Sequence, residues 1–210
     1  MTTSSFSLSV AGCALAVALV AAPQAMADIV TNGGFESTID VGTTNLSGLQ
    51  PASWTVTAPD LYTFDSCGSN LTPTHSGNCV MEFGSTSSAT LAQTLSTMPG
   101  TAYTISFWLT EDRSNQYAPS DMFSIAFGSS ALSTFSNFGP LSYTQYTYTA
   151  TATGTATTLT FSAYDVPALI GLDDVSVDPV TSSIPEPPAF ALLASAVAGL
   201  VFLRLHRHRA

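Results

Sequence analysis

A two-residue rhythm constrains this chain more than any other feature. Between Thr101 and Thr110, Tyr103, Ile105, Phe107 and Leu109 fall on one face of an extended strand. Thr104, Ser106, Trp108 and Thr110 fall on the other. The rhythm recurs at Ala89–Thr97, at Asp121–Gly128 with Phe123, Ile125 and Phe127 together, and at Tyr146, Tyr148 and Ala150. It returns at Leu159, Phe161 and Ala163, and in a final strand from Leu169 to Val177. Ser53–Thr57, Leu61–Phe64 and Asn78–Phe83 are shorter strands, while Ile39–Pro51 and Asp112–Ser120 read as long loops. No helical period of useful length occurs between Asp28 and Thr181. From Thr144 to Thr160, 9 of 17 residues are Thr, whose stiff β-branched side chain suits a solvated strand face. That stretch reads as a hairpin turning at Thr153-Gly154-Thr155. Short strands separated by Gly, Pro, Ser and Asn predict one all-β domain, an antiparallel two-sheet sandwich over residues 28–178.

The ends of the 210-residue chain follow other rules. Leu8–Ala22 is an apolar run followed by Ala25-Met26-Ala27, an A-x-A cleavage site, so residues 1–27 read as a secretory signal helix. Val10-Ala11-Gly12-Cys13 offers a rival, lipobox-like site, although cleavage there would leave most of the apolar run in place. At the other end, residues 179–188 form a Pro-rich linker holding Pro185-Glu186-Pro187. Residues 189–210 form an apolar run closed by Arg204, Arg207 and Arg209. The run is short for a permanent span of about 20 residues, and its basic end would stay cytoplasmic.

This tripartite terminus resembles the PEP-CTERM sorting signal. The resemblance implies recognition by an exosortase and a transmembrane sorting helix held transiently in the inner membrane. It further implies a destination at the cell surface or extracellular matrix of a Gram-negative bacterium that makes exopolysaccharide. A plain single-span anchor is the alternative.

Charge excludes one class of partner. From Asp28 to Ser183 the chain has thirteen acids and one base, Arg113, too few cations to neutralise nucleic-acid phosphate. In an exported chain, Cys67 and Cys79 read as a disulfide closing a loop rich in turn formers. With only His75 nearby, they make an incomplete zinc set.

A second resemblance rests on an ordered set of segments. These are Asn32-Gly33-Gly34-Phe35-Glu36, Ser53-Trp54, Gln93-Thr94-Leu95, Tyr103-Thr104-Ile105-Ser106-Phe107-Trp108 and Gly171-Leu172-Asp173-Asp174-Val175-Ser176-Val177. The set is similar to the galactose-binding-like jelly rolls of carbohydrate-binding modules, with an insertion at Asp65–Asn78. It implies a jelly-roll fold and one structural calcium ion held by Glu36 and by Asp173 or Asp174. The residues point the same way if Val175 and Val177 face inward. Asp173 would then share their face at the core rim, and a buried carboxylate needs a cation or several donors. The alternative is that these acids cap turns and face water.

Aromatic faces stack on sugar rings. Trp108, alternating away from the apolar face, is the first glycan-binding candidate, followed by Tyr117 and Tyr164; Trp54 reads as core. An aromatic among threonines can equally cover a loop. Hydrolase chemistry has little support. Glu111 and Asp112 are adjacent and point to opposite faces of a strand, and His75, the one body histidine, lacks a nucleophile motif. The expectation is a non-enzymatic exported protein that contacts exopolysaccharide, with a ligand-free matrix component as the alternative.

Overall fold

A computed structural model describes residues 27–40, 49–58, 63–68, 72–112, 120–137, 141–166 and 168–180. The signal segment to residue 26, Arg113, Tyr117 and everything from residue 181, including the sorting motif and its arginines, lie outside the described residues. Twelve strands appear in chain order. They are β1 (Thr38–Asp40), β2 (Leu49–Pro51), β3 (Thr55–Thr57), β4 (Thr63–Cys67), β5 (Cys79–Phe83) and β6 (Ala89–Ser96). Then come β7 (Ala102–Asp112), β8 (Ser120–Phe127), β9 (Ser130–Ser136), β10 (Leu141–Thr151), β11 (Ala156–Val166) and β12 (Leu169–Pro179).

Two five-stranded antiparallel sheets face each other, one ordered β10-β7-β12-β5-β4 and the other β3-β6-β11-β8-β9. This is the all-β two-sheet sandwich expected from the alternation, and the jelly-roll fold that the second resemblance implies. Tyr103, Ile105, Phe107 and Leu109 point inward from β7, against Phe123, Ile125 and Phe127 of β8 and Leu159, Phe161 and Ala163 of β11. Phe161 contacts Phe107, Phe123 and Trp54 at ring distances of 5.3, 5.8 and 6.3 Å. Trp54 is in the core as expected, and its indole N–H donates to the Asn32 carbonyl.

The Asn-Gly-Gly-Phe-Glu segment clasps the last strand. Val175 N–H donates to the Gly33 carbonyl, and Ile29 N–H to the Val177 carbonyl. A β-carbon on Gly33 would lie 1.9 Å from the Val175 carbonyl oxygen, so only glycine fits this approach.

Three local expectations change. β10 pairs with β7 and β11 with β6 and β8, so Thr153-Gly154-Thr155 arches between the sheets and is not a hairpin turn. β11 buries its apolar face in the core, while β10 leaves Tyr146 and Tyr148 partly buried and meets β9 through the Tyr146 and Phe135 rings. The supposed loop Ile39–Pro51 contributes β1 and β2, an antiparallel pair. The alternation of β12 breaks at a bulge, where Asp173 is opposite Trp108 but Ser176 is opposite Ser106. Asp174 sits there with φ of 47°. The extra residue flips the faces, so Asp173 lies on the outer side of the sheet while Val175 and Val177 point inward.

Candidate functional site

The outer side of the β10-β7-β12-β5-β4 sheet is covered in part by the loop that the Cys67–Cys79 disulfide closes. These cysteines are directly opposite in the β4–β5 ladder, with Cα atoms 4.0 Å apart, and form the expected bridge. Gly171 lets the loop in, since a β-carbon there would lie 2.7 Å from the Thr72 methyl and 2.8 Å from that of Thr110.

The loop then presents donors to acids. His75 and Ser76 backbone N–H groups donate to Asp173 Oδ2 at 2.9 and 3.2 Å, and Asp174 N–H donates to Asp173 Oδ1 at 2.7 Å. Ser76 Oγ donates to Asp174 Oδ1 at 2.7 Å, and His75 Nδ1 lies 2.6 Å from Asp174 Oδ2. Asn78 and Cys79 N–H groups donate to Glu36 Oε1 at 2.8 and 3.0 Å. The segment at residues 75–79 therefore ties the N-terminal motif to the last strand.

Asp65 breaks this pattern of satisfaction. It points inward from β4 between Thr63 and Cys67 and is 1% exposed. Neither of its carboxylate oxygens has a hydrogen-bond donor among the described residues. Burial first, then the negative charges of Glu36, Asp173 and Glu82, push its carboxyl up to about 7. Burial also pushes Asp173 up to about 6, against the lowering effect of its three backbone donors.

Asp174 has both oxygens engaged by the loop, and Glu36, Asp173 and Asp174 do not form a set converging within 4.8 Å. Asp65 and Glu82 are the acids with neither oxygen hydrogen-bonded among the described residues, and Asp65 is repelled by Glu36, Asp173 and Glu82. An oxygen-seeking cation fits the Asp65 position by charge and donor chemistry. Sequence reasoning missed Asp65; the available signal was its place two residues before an inward, disulfide-forming cysteine.

Trp108 does not offer a bare platform. The His75 ring stacks on it at 3.9 Å between centroids and 17° between planes, and Tyr143 meets His75 edge-on at 5.2 Å. Tyr143 also donates its hydroxyl to the Pro73 carbonyl at 2.7 Å. His75 is thus an exposed loop residue that covers an aromatic face. Tyr164 stands on the outer side of the opposite sheet, half-buried, opposite Met122. There the register aligns Thr57, Thr90, Ser162, Ser124 and Thr134 in one row across all five strands. No acid or base points outward from this sheet among its described side chains.

At the end of the sandwich, Glu111 joins Asp121 and Asp165, with one carboxylate oxygen from each lying within 4.8 Å of the others. All three are at most 3% exposed and come from both sheets. No motif or spacing signals this grouping, which depends on the closure of one sheet over the other. The side chain of Asp112 is outside the described residues.

No protein-family model and no curated protein matches the chain. Solved structures do. TmCBM61 in complex with beta-1,4-galactotriose is 14% identical with a TM-score of 0.55, covering 72% of this chain and 98% of that one. The CBM22-1 xylan-binding domain of Xyn10C from Paenibacillus barcinonensis is 14% identical with a TM-score of 0.47, covering 77% of this chain and 100% of that one. At this identity the likeness to TmCBM61 concerns the fold.

Proposed function

We propose that the chain is an exported, non-catalytic glycan-binding protein whose binding surface is the outer side of the β3-β6-β11-β8-β9 sheet. One observation carries this reading: five hydroxyls in register beside Tyr164, on a surface without charge. Hydroxyl rows donate to and accept from sugar hydroxyls, and a tyrosine ring supplies the stacking face. A neutral surface on an acidic protein favours a neutral polysaccharide. The likeness of the fold to a module solved with a bound galactotriose supports the class of ligand. Trp108, paired with His75, belongs to the loop contact in this reading. That occupied face also favours the second reading, a matrix component without a discrete ligand.

The proposal includes the terminal signals. The chain is exported, held transiently in the inner membrane and sorted by an exosortase at Pro185-Glu186-Pro187. Its destination is the cell surface or an exopolysaccharide matrix. It also includes one structural calcium ion beside Asp65, whose buried carboxylate lacks a donor and is repelled by Glu36 and Asp173. The ion would neutralise their mutual repulsion and clamp the N-terminal motif to β4 and β12; calorimetric titration with calcium is the direct check.

The glycan reading is tested by array screening, then calorimetry on the best neutral polysaccharide. Tyr164→Ala should weaken binding by about tenfold or more, the scale of one lost stacking contact with its desolvated area. Trp108→Ala should change it by less than about twofold. The reverse pattern would move the site to the loop side, and a blank array would favour the matrix reading.

A further inference from the structure

The two sheets have four edge strands, and an edge strand presents unpaired N–H and C=O groups that can template another strand. The four differ in how they are guarded. β3 is three residues long, and β4 is five residues long, carries the disulfide and packs against β2. β9 and β10 lie together on the opposite flank, joined by the Phe135 and Tyr146 rings at 4.9 Å. β10 is the longest edge, 11 residues, and neither it nor β9 contains a charged residue or a proline. The nearest acid on the paired strand, Glu111, is opposite Leu141 at one end of β10 and is turned inward. Apolar side chains also gather here. Leu132, Phe135, Leu141, Tyr146 and Tyr148 pack on the core but stay only partly buried.

From these observations we infer that the β9–β10 flank is a self-association surface, occupied by a second copy of this chain whose β10 pairs with β10 across a two-fold axis. Charge and the open edge together argue for the site of contact. A body with thirteen acids and one base repels its copies; two uncharged surfaces escape this, the outer β3-β6-β11-β8-β9 face and this flank, and of the two the flank adds a long strand edge. The alternation argues for the occupant. In an antiparallel pair about Thr147, Tyr146 of one copy lies opposite Tyr148 of the other, and Gln145 opposite Thr149. Inward residues stay inward and outward residues stay outward, so the five-stranded sheet continues as one of ten. The half-buried Tyr146 and Tyr148 gain cross-strand aromatic partners, and the backbone groups of β10 that have no partner among the described residues gain each other.

The test uses the full chain in mild detergent, with Cys13→Ser to remove the unpaired cysteine. Sedimentation velocity should give a dimer. The double variant Thr147→Lys/Thr149→Lys should raise the dissociation constant by about tenfold or more, because charge on an edge opposes pairing. Ser129→Lys/Thr153→Lys, equal in charge but on turns, should leave it unchanged. A second readout does not depend on the lysines folding. Thr147→Cys, with facing β-carbons about 5 Å apart across the axis, should form an intermolecular disulfide on mild oxidation, whereas Ser129→Cys should not. A wild-type monomer at high micromolar concentration would overturn the inference, as would a dimer unmoved by the β10 lysines or equal cross-linking at residues 147 and 129. A monomer that instead captures an unrelated extended peptide along β10 would also overturn it.

Discussion

At the scale of single residues, Asp65 is the most informative position. Its folded carboxyl holds a proton up to about 7, while in the unfolded chain it gives the proton up near 3.8. Between those values the folded state binds more protons, so unfolding free energy falls as pH rises and levels off above about 7. Asp173 adds a smaller fall that ends near 6. In the absence of calcium, Asp65→Asn should therefore flatten the decline and exceed the wild type at pH 8 by up to about 4 kcal/mol, the size of the full shift. Calcium should flatten the wild-type curve in the same way, because a bound cation favours the ionised carboxylate. Urea denaturation at pH 4, 5.5 and 8, with calcium or with chelator, checks both. Parallel curves for wild type and variant would remove Asp65 from the account, and a curve indifferent to calcium would remove the ion. None of this was legible in Thr63-Phe64-Asp65-Ser66-Cys67 as a string. An acid beside a turn-rich loop reads as solvated, and only strand register turns it inward.

Among elements, the disulfide loop does two jobs with one set of contacts. It satisfies Asp173, Asp174 and Glu36, and it lays His75 on Trp108. Releasing it by Cys67→Ser/Cys79→Ser should cost about 3 kcal/mol, the chain-entropy scale for a loop of this length. It should also bare the indole. In a Trp54→Phe background, Trp108 emission should shift to the red, whereas an unchanged spectrum would show that the loop stays seated without its bridge. Strands with a clear period of two were readable from sequence because burial enforces the pattern. The bulge at Asp174 was not, since one extra residue reverses which side chains point inward while the local composition stays the same. Nor was β9, because Ser130–Ser136 mixes small and apolar residues without a clean alternation. The arch at Thr153–Thr155 was misread as a hairpin because adjacent alternating strands look alike whether they share a sheet or face each other across a core.

For the molecule as a whole, the sandwich was legible and the placement of candidate residues was not. Trp108 and Tyr164 alternate in the same way within their strands, and only the course of residues 72–78 decides which ring is covered. The proposed terminal signals rest on the sequence and carry a prediction of their own. Replacing Pro185-Glu186-Pro187 with alanines should leave a full-length precursor in the membrane fraction, visible by immunoblot against the domain. Normal processing of that variant would favour a plain anchor. The fold also decides how such an attachment would bear load. β12 is flanked by β7 and β5, and nine of its residues are in register with β7. Tension entering through the chain after Val180 pulls along this central strand, parallel to its axis. It must shear many rungs of the ladder together, whereas the same pull on an edge strand directed away from its sheet would unzip them one by one. A tether leaving from this strand makes the domain a resistant link in any network that holds it.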